Sequence, residues 1–278
     1  MPGLIASDVD GTLLDPMDAV TPRTAAAVSA VVAAGVPFVL VTGRPPRWIP
    51  GVAQAAGLTG YAVCGNGAVL YDIGRDRVLR TQVIESVTLG DVVHTVARLI
   101  PDTSIAVERI GVSANALAGH EFLVEPGYRH PWAERTPVAP RAELIGRPAV
   151  KLLIRQPELT SQQLADAVGS MVDGMVDVTY STDFGMIEIS AAGVTKATGL
   201  AEIAEWLAAP TDTVVAFGDA PNDVSMLRWA GHGVAMGNAH PAVLAVADEI
   251  TAANSADGVA LVLERWFPSD YSGGLRRR

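Results

Sequence analysis

The chain has 278 residues, of which 49% are hydrophobic and 18% charged, so it can bury one large core or two smaller ones and is not of the disordered class. A formal net charge of −10 excludes the overall basic surface that is typical of nucleic-acid-binding proteins, and we expect no nucleic-acid partner. The single cysteine, Cys64, excludes an intrachain disulfide, and we expect it to be a small buried residue.

The first residues read as a strand rather than as a charged leader followed by an apolar signal segment. The longest apolar run, residues 25–41, is interrupted by Ser29, Gly35 and Pro37 and is shorter than the roughly 20 residues that span a bilayer. We therefore expect a cytoplasmic protein with no membrane partner, present as a monomer or a small homo-oligomer.

Strands and helices alternate in the N-terminal part of the chain. The predicted elements are, in order, a strand (LIASDV), a helix (TPRTAAAVSAVVAAG), a strand (VPFVLVTGR), a helix (PRWIPGVAQAAGL) and two strand pieces (YAVCGNGAVLYD). Thr21 can cap the first helix, Pro22 suits its first turn, and Gly35 ends it. The strands are continuously apolar, which is typical of a parallel sheet covered on both faces.

The middle of the chain, residues 83–190, has a different pattern. Alternating segments predict antiparallel strands (TSIAVERIGVSA, AVKLLIRQ, VDVTYST and GMIEIS), which flank two helical segments (ESVTLGDVVHTVARLI and ELTSQQLADAVGSMV). A Pro-rich stretch, EPGYRHPWAERTPVAPRAE, is expected to be irregular.

The strand–helix rhythm returns in the last third of the chain. The predicted elements there are a helix (TKATGLAEIAEWLAA), a strand (TVVAFGD), a helix (NDVSMLRWAG), a short strand (GVAMG) and a helix (PAVLAVAD). The whole pattern predicts an α/β protein with a Rossmann-like parallel-sheet core, built from residues 1–82 and 191–278, and an inserted α+β domain at residues 83–190.

Carboxylates follow two of the predicted core strands. Asp8 and Asp10 share a face if the first strand continues through them, because strand side chains alternate. Thr42-Gly43-Arg44 ends the second strand, and Gly218-Asp219 ends the late strand, followed closely by Asn222-Asp223. Because ligands bind outside the carboxyl ends of parallel strands, we expect these residues to gather along one rim of the sheet.

Such a rim needs positive charge. Two carboxylates about 4 Å apart repel by ~4 kcal/mol at an effective dielectric of 20. Mg²⁺ binds carboxylates, waters and phosphate oxygens, so it would make the aspartates tolerable. Lys196 is one of only two lysines and follows a capping Thr195 at a helix start, where a cation opposes the helix dipole. A local rule broken in this way often marks a functional site.

Rival motifs fail on spacing. An EF-hand loop counted from Asp8 would place Leu13 and Ala19 where glycine and glutamate are required. The glycines at 65 and 67 lack the third glycine of a dinucleotide fingerprint, since Leu70 stands there, and the pair at 231 and 233 fails at Met236. The five histidines show no metal-ligand spacing. Each rim motif is weak alone, and their order along the chain makes them specific.

Together these motifs resemble the haloacid dehalogenase (HAD) superfamily of phosphohydrolases. The resemblance rests on Asp8-Val9-Asp10-Gly11-Thr12, Thr42-Gly43-Arg44, Lys196, and Gly218-Asp219 with Asn222-Asp223. The inserted domain is similar to the type-2 cap of the Cof-like branch, as are Cys64-Gly65-Asn66-Gly67-Ala68 and Met186-Ile187-Glu188-Ile189. The chain departs from many Cof-like sequences at Ala220, where they carry Asn. That departure leaves the expected metal ligands intact.

The resemblance implies a Mg²⁺-dependent phosphatase of small phosphorylated metabolites, with sugar phosphates as one class. Asp8 would be the nucleophile that forms an aspartyl-phosphate, and Asp10 the general acid and base. The implied metal ligands are Asp8, Asp10 through its backbone carbonyl, Asp219 and Asp223. The implied phosphate-binding residues are Thr42, Gly43, Lys196 and Asn222. Arg44 and Asn66 are candidate substrate-binding residues, and weaker candidates in the inserted domain are His120, Glu125, Arg129 and His130.

Other functions stay open at this point. A sugar phosphomutase of the same fold would return the phosphoryl group to a bound sugar. A catalytically silent module that binds metal or phosphate is a second alternative, against which the intact Asp8, Asp10 and Lys196 argue. An oxidoreductase that uses a nucleotide cofactor is disfavoured by the failed glycine spacing.

Overall fold

The structure is a computed structural model, and it describes residues 1–115, 121–129 and 136–268. Within these ranges the strands form two sheets. The strands are β1 (Leu4–Ser7), β2 (Phe38–Val41), β3 (Tyr61–Cys64), β4 (Val69–Asp72), β5 (Arg77–Thr81), β6 (Ser104–Arg109), β7 (Glu121–Val124), β8 (Lys151–Arg155), β9 (Val176–Thr179), β10 (Met186–Ala191), β11 (Val214–Gly218), β12 (His232–Ala235) and β13 (Glu249–Ile250). The α-helices are α1 (Pro22–Ala33), α2 (Ile49–Ala56), α3 (Ser86–Leu99), α4 (Arg141–Ile145), α5 (Ser161–Met171), α6 (Lys196–Trp206), α7 (Val224–Trp229), α8 (Pro241–Leu244) and α9 (Gly258–Leu263).

The larger sheet has the strand order β13-β12-β11-β1-β2-β3-β4-β5. Neighbours from β13 to β3 are parallel, whereas β4 and β5 add antiparallel to the edge. The strand β1 lies between β11 and β2, with Ile5 opposite both Val215 and Phe38. The predicted parallel core is confirmed, and its central strands are the ones that the site motifs follow.

Local sequence explains the first βαβ unit. The side chain of Thr21 accepts a hydrogen bond from the Thr24 N–H, so it caps α1 as expected, and Pro22 opens the helix. The helix buries Ala27, Val28 and Val31, and its chain then turns at Gly35. All four residues of β2 are buried, which agrees with a sheet covered on both faces.

The smaller sheet is antiparallel throughout, in the order β7-β6-β8-β10-β9. One of its faces packs on α3 and α5 through a buried cluster that includes Ile105, Leu152 and Ile187. Alternate residues on the other face, among them Lys151 and Glu188, turn toward the larger sheet. The inserted α+β cap is confirmed as a class, and the limits at 82/83 and 190/191 stay a prediction.

Several elements depart from the sequence-based expectation. The strands β5, β7 and β13 and the helix α9 were not predicted. The short helix α4 (Arg141–Ile145) begins in the last residues of the Pro-rich stretch, and residues 130–135 of that stretch lie outside the described ranges. None of the helices in the described parts of the chain combines the length and apolarity that crossing a bilayer requires.

Candidate active site

The aspartate pair at the end of β1 does not continue the strand. The strand ends at Ser7, and residues 9–13 form a tight helical turn in which Gly11 has a φ of +73°. Asp8 is 4% exposed, whereas the side chain of Asp10 is 53% exposed. The condition for a shared strand face, that the strand continues through both aspartates, is therefore not met, and the turn sends the two carboxylates to different partners.

Lys196 lies where α6 begins, directly after the capping Thr195. Its side chain is fully buried, and its Nζ donates to Asp8 Oδ1 at 2.6 Å and to Asp223 Oδ1 at 2.5 Å. The other oxygen of Asp223 accepts from the N–H groups of Asp219 and Ala220 at 3.0 and 2.9 Å. One ammonium thus bridges two carboxylates that are 215 positions apart in sequence (223 − 8).

Asp219 completes an acidic cluster. One carboxylate oxygen from each of Asp8, Asp219 and Asp223 lies within 4.8 Å of the others. Thr12 donates to Asp219 Oδ1 at 2.9 Å, and a Cβ built on Gly11 would lie 2.8 Å from Asp219 Cγ. The glycine therefore lets the β1 turn approach this carboxylate closely.

The cluster perturbs the ionisation of its members. Burial, followed by the charge of Asp223, raises the pKa of Asp219 to about 7. Burial and Asp223 also raise the pKa of Asp8 well above its usual value, although Lys196 opposes that shift. Burial lowers the pKa of Lys196, but Asp223 and Asp8 outweigh it, so the net pKa lies above the ordinary value and the ammonium stays charged.

These observations fit a divalent cation. Three carboxylates face one ammonium, and burial together with the charge of Asp223 raises the pKa values of Asp8 and Asp219. A cation bound here would offset this excess of negative charge. The donors are all oxygen atoms, which suits a hard cation such as Mg²⁺. The side-chain carboxylate of Asp10 is not part of the cluster, since Arg44 holds it at 2.8 and 2.5 Å.

The turn after β2 is fixed by its neighbours. The Asn66 N–H donates to the carbonyl of Thr42, and the Gly65 N–H donates to that of Arg44, each at 3.0 Å. The Arg44 N–H donates to the hydroxyl oxygen of Thr42 at 3.0 Å. In the described part of the chain, the Gly43 N–H has no acceptor. The turn therefore has an amide without an acceptor at Gly43, which lines a cavity together with Asp8. The hydroxyl of Thr42 is fully buried beneath it.

Asn66 and Asn222 form a buried pair behind this turn. Asn222 Nδ2 donates to Asn66 Oδ1 at 3.1 Å, and Asn66 Nδ2 donates to Glu188 Oε2 at 3.0 Å. Glu188 also pairs with Lys151. Asn222 lines the cavity described below, and Asn66 stands behind its wall with its amide bonded to Glu188.

A cavity of about 510 Å³ lies between the two sheets above Asp8 and Asp10. Its apolar lining includes Trp48, Val69, Ile110, Phe122, Val150 and Leu153. Of the weaker candidates, Glu125 is 7% exposed and pairs with Arg141 at 2.7 Å. Neither Glu125 nor Arg129 is among the described residues that line the cavity. His120 and His130 lie outside the described residues.

Sequence reasoning missed several side chains of the site. Thr12 stands within the first motif but was not assigned to the site, although the chemistry of a hydroxyl beside an acidic cluster could have suggested it. Lys151 is the second of the two lysines, and that rarity is the signal that could have found it. Ser181, which donates to Glu188 at 2.7 Å, carries no sequence signal of its own.

Comparison with known proteins supports the resemblance. The sequence pattern of the haloacid dehalogenase-like hydrolase family matches residues 5–263. The chain is 29% identical to 5-amino-6-(5-phospho-D-ribitylamino)uracil phosphatase YitU of Bacillus subtilis (strain 168), over 96% of this chain and 98% of that one. It is also 29% identical to pyridoxal phosphate phosphatase YbhA of Escherichia coli (strain K12), over 92% and 96% of the two chains.

The fold is shared with solved structures as well. The HAD subclass IIB sugar phosphatase BT4131 superposes with a TM-score of 0.78 at 22% sequence identity, covering 95% of this chain and 98% of that one. That likeness confirms the core with an inserted cap. Since the family pattern spans almost the whole described chain, the protein belongs to the haloacid dehalogenase-like hydrolase family.

Proposed function

We propose that this protein is a Mg²⁺-dependent phosphatase that hydrolyses small phosphorylated metabolites through an aspartyl-phosphate on Asp8. One observation carries the proposal: a buried ammonium, Lys196, bridges Asp8 and Asp223 at 2.6 and 2.5 Å. Asp8 in turn lines a cavity that lies between the two sheets. An anionic phosphate can reach an anionic nucleophile only where positive charge screens their repulsion. The relatives named above are phosphatases of small phosphorylated compounds, which agrees with this chemistry.

Asp8 would attack phosphorus. Lys196 contacts Oδ1, and no donor among the described residues contacts Oδ2, so the second oxygen is available as the nucleophile. The bond between phosphorus and the leaving oxygen breaks as the bond to Asp8 forms. Asp10 would give a proton to the leaving oxygen and then take one from the water that hydrolyses the acyl phosphate.

Asp10 would have to leave Arg44 to do this. The guanidinium of Arg44 holds both oxygens of Asp10, and both residues line the cavity. A substrate that brings its own negative charge would compete for Arg44 and so release Asp10 toward the leaving group. Arg44 thus keeps its proposed substrate-binding role.

Thr42, Gly43 and Lys196 would hold the phosphoryl oxygens, with Asn222 beside them. The Gly43 N–H and the Thr42 hydroxyl are donors, and Lys196 adds charge. Asp8, Asp219 and Asp223, with the backbone carbonyl of Asp10, would hold the Mg²⁺. When bound, that ion would neutralise the acidic cluster and stabilise negative charge on the transferring group.

The cavity would take the leaving group. Its apolar side chains, among them Trp48 and Phe122, favour a leaving group with an aromatic ring over a fully hydroxylated sugar. We therefore expect pyridoxal phosphate to be hydrolysed faster than glucose 6-phosphate, although sugar phosphates remain within the proposed class. A cytoplasmic location and a monomeric or small homo-oligomeric state belong to the same proposal.

The test is release of inorganic phosphate from a panel of phosphorylated metabolites and from p-nitrophenyl phosphate. The wild-type protein should turn over several members with Mg²⁺, lose activity on chelation, and recover it when Mg²⁺ is returned. The substitution Asp8→Asn keeps the shape of the side chain and should reduce turnover to background. Wild-type turnover by D8N, or activity unaffected by thorough chelation, would contradict the proposal.

A further inference from the structure

Lys151 is buried on the cap strand β8, far in sequence from the residues proposed for chemistry. It is 7% exposed, and its Nζ donates to the carbonyl oxygen of Gly43 at 2.6 Å and to Glu188. Glu188 also accepts from Ser181 Oγ at 2.7 Å and from Asn66 Nδ2 at 3.0 Å. The charge of the lysine is therefore balanced inside the cap, while one of its hydrogen bonds reaches the core.

Stability alone does not explain this ion pair. Taking two charges out of water offsets much of their attraction, and apolar side chains of similar volume often stabilise a fold as well or better. Burial opposes ionisation of Glu188, but Lys151 and the hydroxyl of Ser181 outweigh it and lower the pKa of that carboxyl. The carboxylate of Glu188 thus stays charged at the point where the cap meets Gly43.

The contact with Gly43 falls on the turn proposed to bind phosphate. Of the three successive carbonyls in that turn, those of Thr42 and Arg44 accept backbone N–H groups at 3.0 Å, and that of Gly43 accepts Lys151. The cap therefore supplies the one hydrogen bond that the core does not. All three carbonyls are held, which fixes the directions of the amides between them.

The hydrogen bond from Lys151 is connected through one peptide group to the Thr42 hydroxyl. The carbonyl held by Lys151 belongs to the same peptide group as the Arg44 N–H, which donates to Thr42 Oγ1 at 3.0 Å. Because that oxygen already accepts a hydrogen bond, the Thr42 hydroxyl is oriented to donate its own proton elsewhere. A charge on the carbonyl side of a peptide also strengthens the bond made by its N–H.

We propose that Lys151 is a positioning residue for phosphate binding: through the Gly43–Arg44 peptide it orients the Thr42 hydroxyl and the Gly43 amide toward the phosphoryl group. This inference rests on the proposed function, and it makes the phosphate site complete only when the cap lies on the core. The phosphate-binding turn and the cap are then one unit, so closure and phosphate binding support each other.

The space around Gly43 fits this assignment. A Cβ built on Gly43 would lie 3.1 Å from Asn66 Oδ1, 3.4 Å from Glu188 Oε2 and 3.6 Å from Lys151 Nζ. A side chain at this position would crowd the amide oxygen of Asn66, whereas its contacts with Glu188 and Lys151 would be at ordinary van der Waals distances. Glycine at position 43 thus suits the close packing of the turn against Asn66.

The experiment measures the dissociation constant of inorganic phosphate by calorimetry, with Mg²⁺ present, for wild type and Lys151→Met. Methionine keeps most of the volume and removes the charge. We expect phosphate binding to weaken about tenfold, which corresponds to the loss of one oriented hydrogen bond to an anion. Lys151→Arg keeps a charged donor and should recover part of the affinity.

A second ion pair between the cap and the core provides the control. The guanidinium of Arg47, on the core, pairs with the carboxylate of Glu108, on the cap strand β6, at 2.5 Å. If Lys151 only held the cap down, Glu108→Gln would weaken phosphate binding as much as Lys151→Met does. Equal losses in the two variants, or no loss in K151M, would overturn the assignment. A tenfold loss in K151M with less than a twofold loss in E108Q would support it.

A double variant distinguishes a loss of folding from a loss of phosphate binding. If K151M does not fold, the double variant Lys151→Met/Glu188→Met removes both charges, and it should fold and show the same loss of phosphate affinity. Wild-type affinity in that variant would overturn the assignment. Failure of the proposed function looks different, because wild type itself would then bind no phosphate and release none from the substrate panel.

The kcat/KM values for the substrate panel separate a role in phosphate binding from a purely structural role of Lys151. Because Lys151 acts on the phosphoryl site, K151M should lower kcat/KM by a similar factor for every substrate that wild type accepts. Lys151 also lines the cavity proposed for the leaving group. A factor that changes strongly with the leaving group would show that the lysine acts on that group instead of on the phosphoryl site, and would contradict the assignment.

Discussion

Lys196 gives the sharpest test of the electrostatics of the site. The substitution Lys196→Met removes a fully buried ammonium that makes two hydrogen bonds of 2.6 and 2.5 Å to carboxylates. Removing one partner of a buried ion pair costs about 3–5 kcal/mol, because the other charge is left buried without compensation. At about 2–4 °C per kcal/mol for a protein of this size class, the metal-free variant should melt about 6–20 °C lower than wild type.

The assay is thermal unfolding in metal-free buffer, followed by circular dichroism. Arg265→Met is the matched control, since it removes a cation whose side chain is 53% exposed and pairs with Glu249 at 2.6 Å. That change should cost less than about 1 kcal/mol. In the K196M background, Asp223→Asn removes one of the unpaired carboxylates and should recover part of the loss. Equal melting of K196M and R265M, with no recovery by D223N, would refute the reasoning.

Two further predictions concern Asp219. Gly11→Ala should weaken Mg²⁺ binding and lower activity, because a Cβ there would lie 2.8 Å from Asp219 Cγ. The control is Gly35→Ala, at a φ of +77° with no atom within 4 Å of the added Cβ. It should cost only the backbone strain of about 1–2 kcal/mol and leave activity intact. Similar losses of activity in both variants would argue against the contact. The pKa of Asp219 is raised to about 7, so its proton stabilises the metal-free protein below about pH 4, and this stability is lost as the pH rises through about 7. Because the proton competes with Mg²⁺, the Mg²⁺ dissociation constant measured by calorimetry should rise about tenfold for each pH unit below about 7. A constant affinity from pH 5.5 to pH 8 would contradict this.

The sequence was informative where function depends on strand ends. Apolar runs followed by aspartate or glycine are local signals, and parallel strands place their carboxyl ends on one rim whatever the details of packing. For that reason Asp8 and Asp219 could be predicted to meet. Lys196 was expected at the site on other grounds: it stands at a helix start, where a cation opposes the helix dipole, and it matches the family motif. Their roles in chemistry stay proposals.

Features that depend on how two surfaces meet could not be predicted. Lys151 reaches Gly43 only because the cap sheet lies on the core at one particular place, and no local pattern encodes that placement. Asp10 turned away from Asp8 because the strand ends at Ser7 and the chain bends at Gly11, a boundary that strand periodicity does not fix. The edge strand β5 was not predicted because it is short and its residues are exposed or half-buried, so it lacks the apolar run that marks the other core strands.

The central claim is that Asp8 becomes phosphorylated. The direct measurement is a rapid acid quench during turnover of a good substrate, followed by borohydride reduction, which converts an acyl phosphate on aspartate to homoserine, and by peptide mass spectrometry. The account predicts homoserine at position 8 in the wild-type protein and none in Asp8→Asn. Steady turnover with no modified aspartate at position 8, or with the phosphoryl group on another side chain, would contradict it.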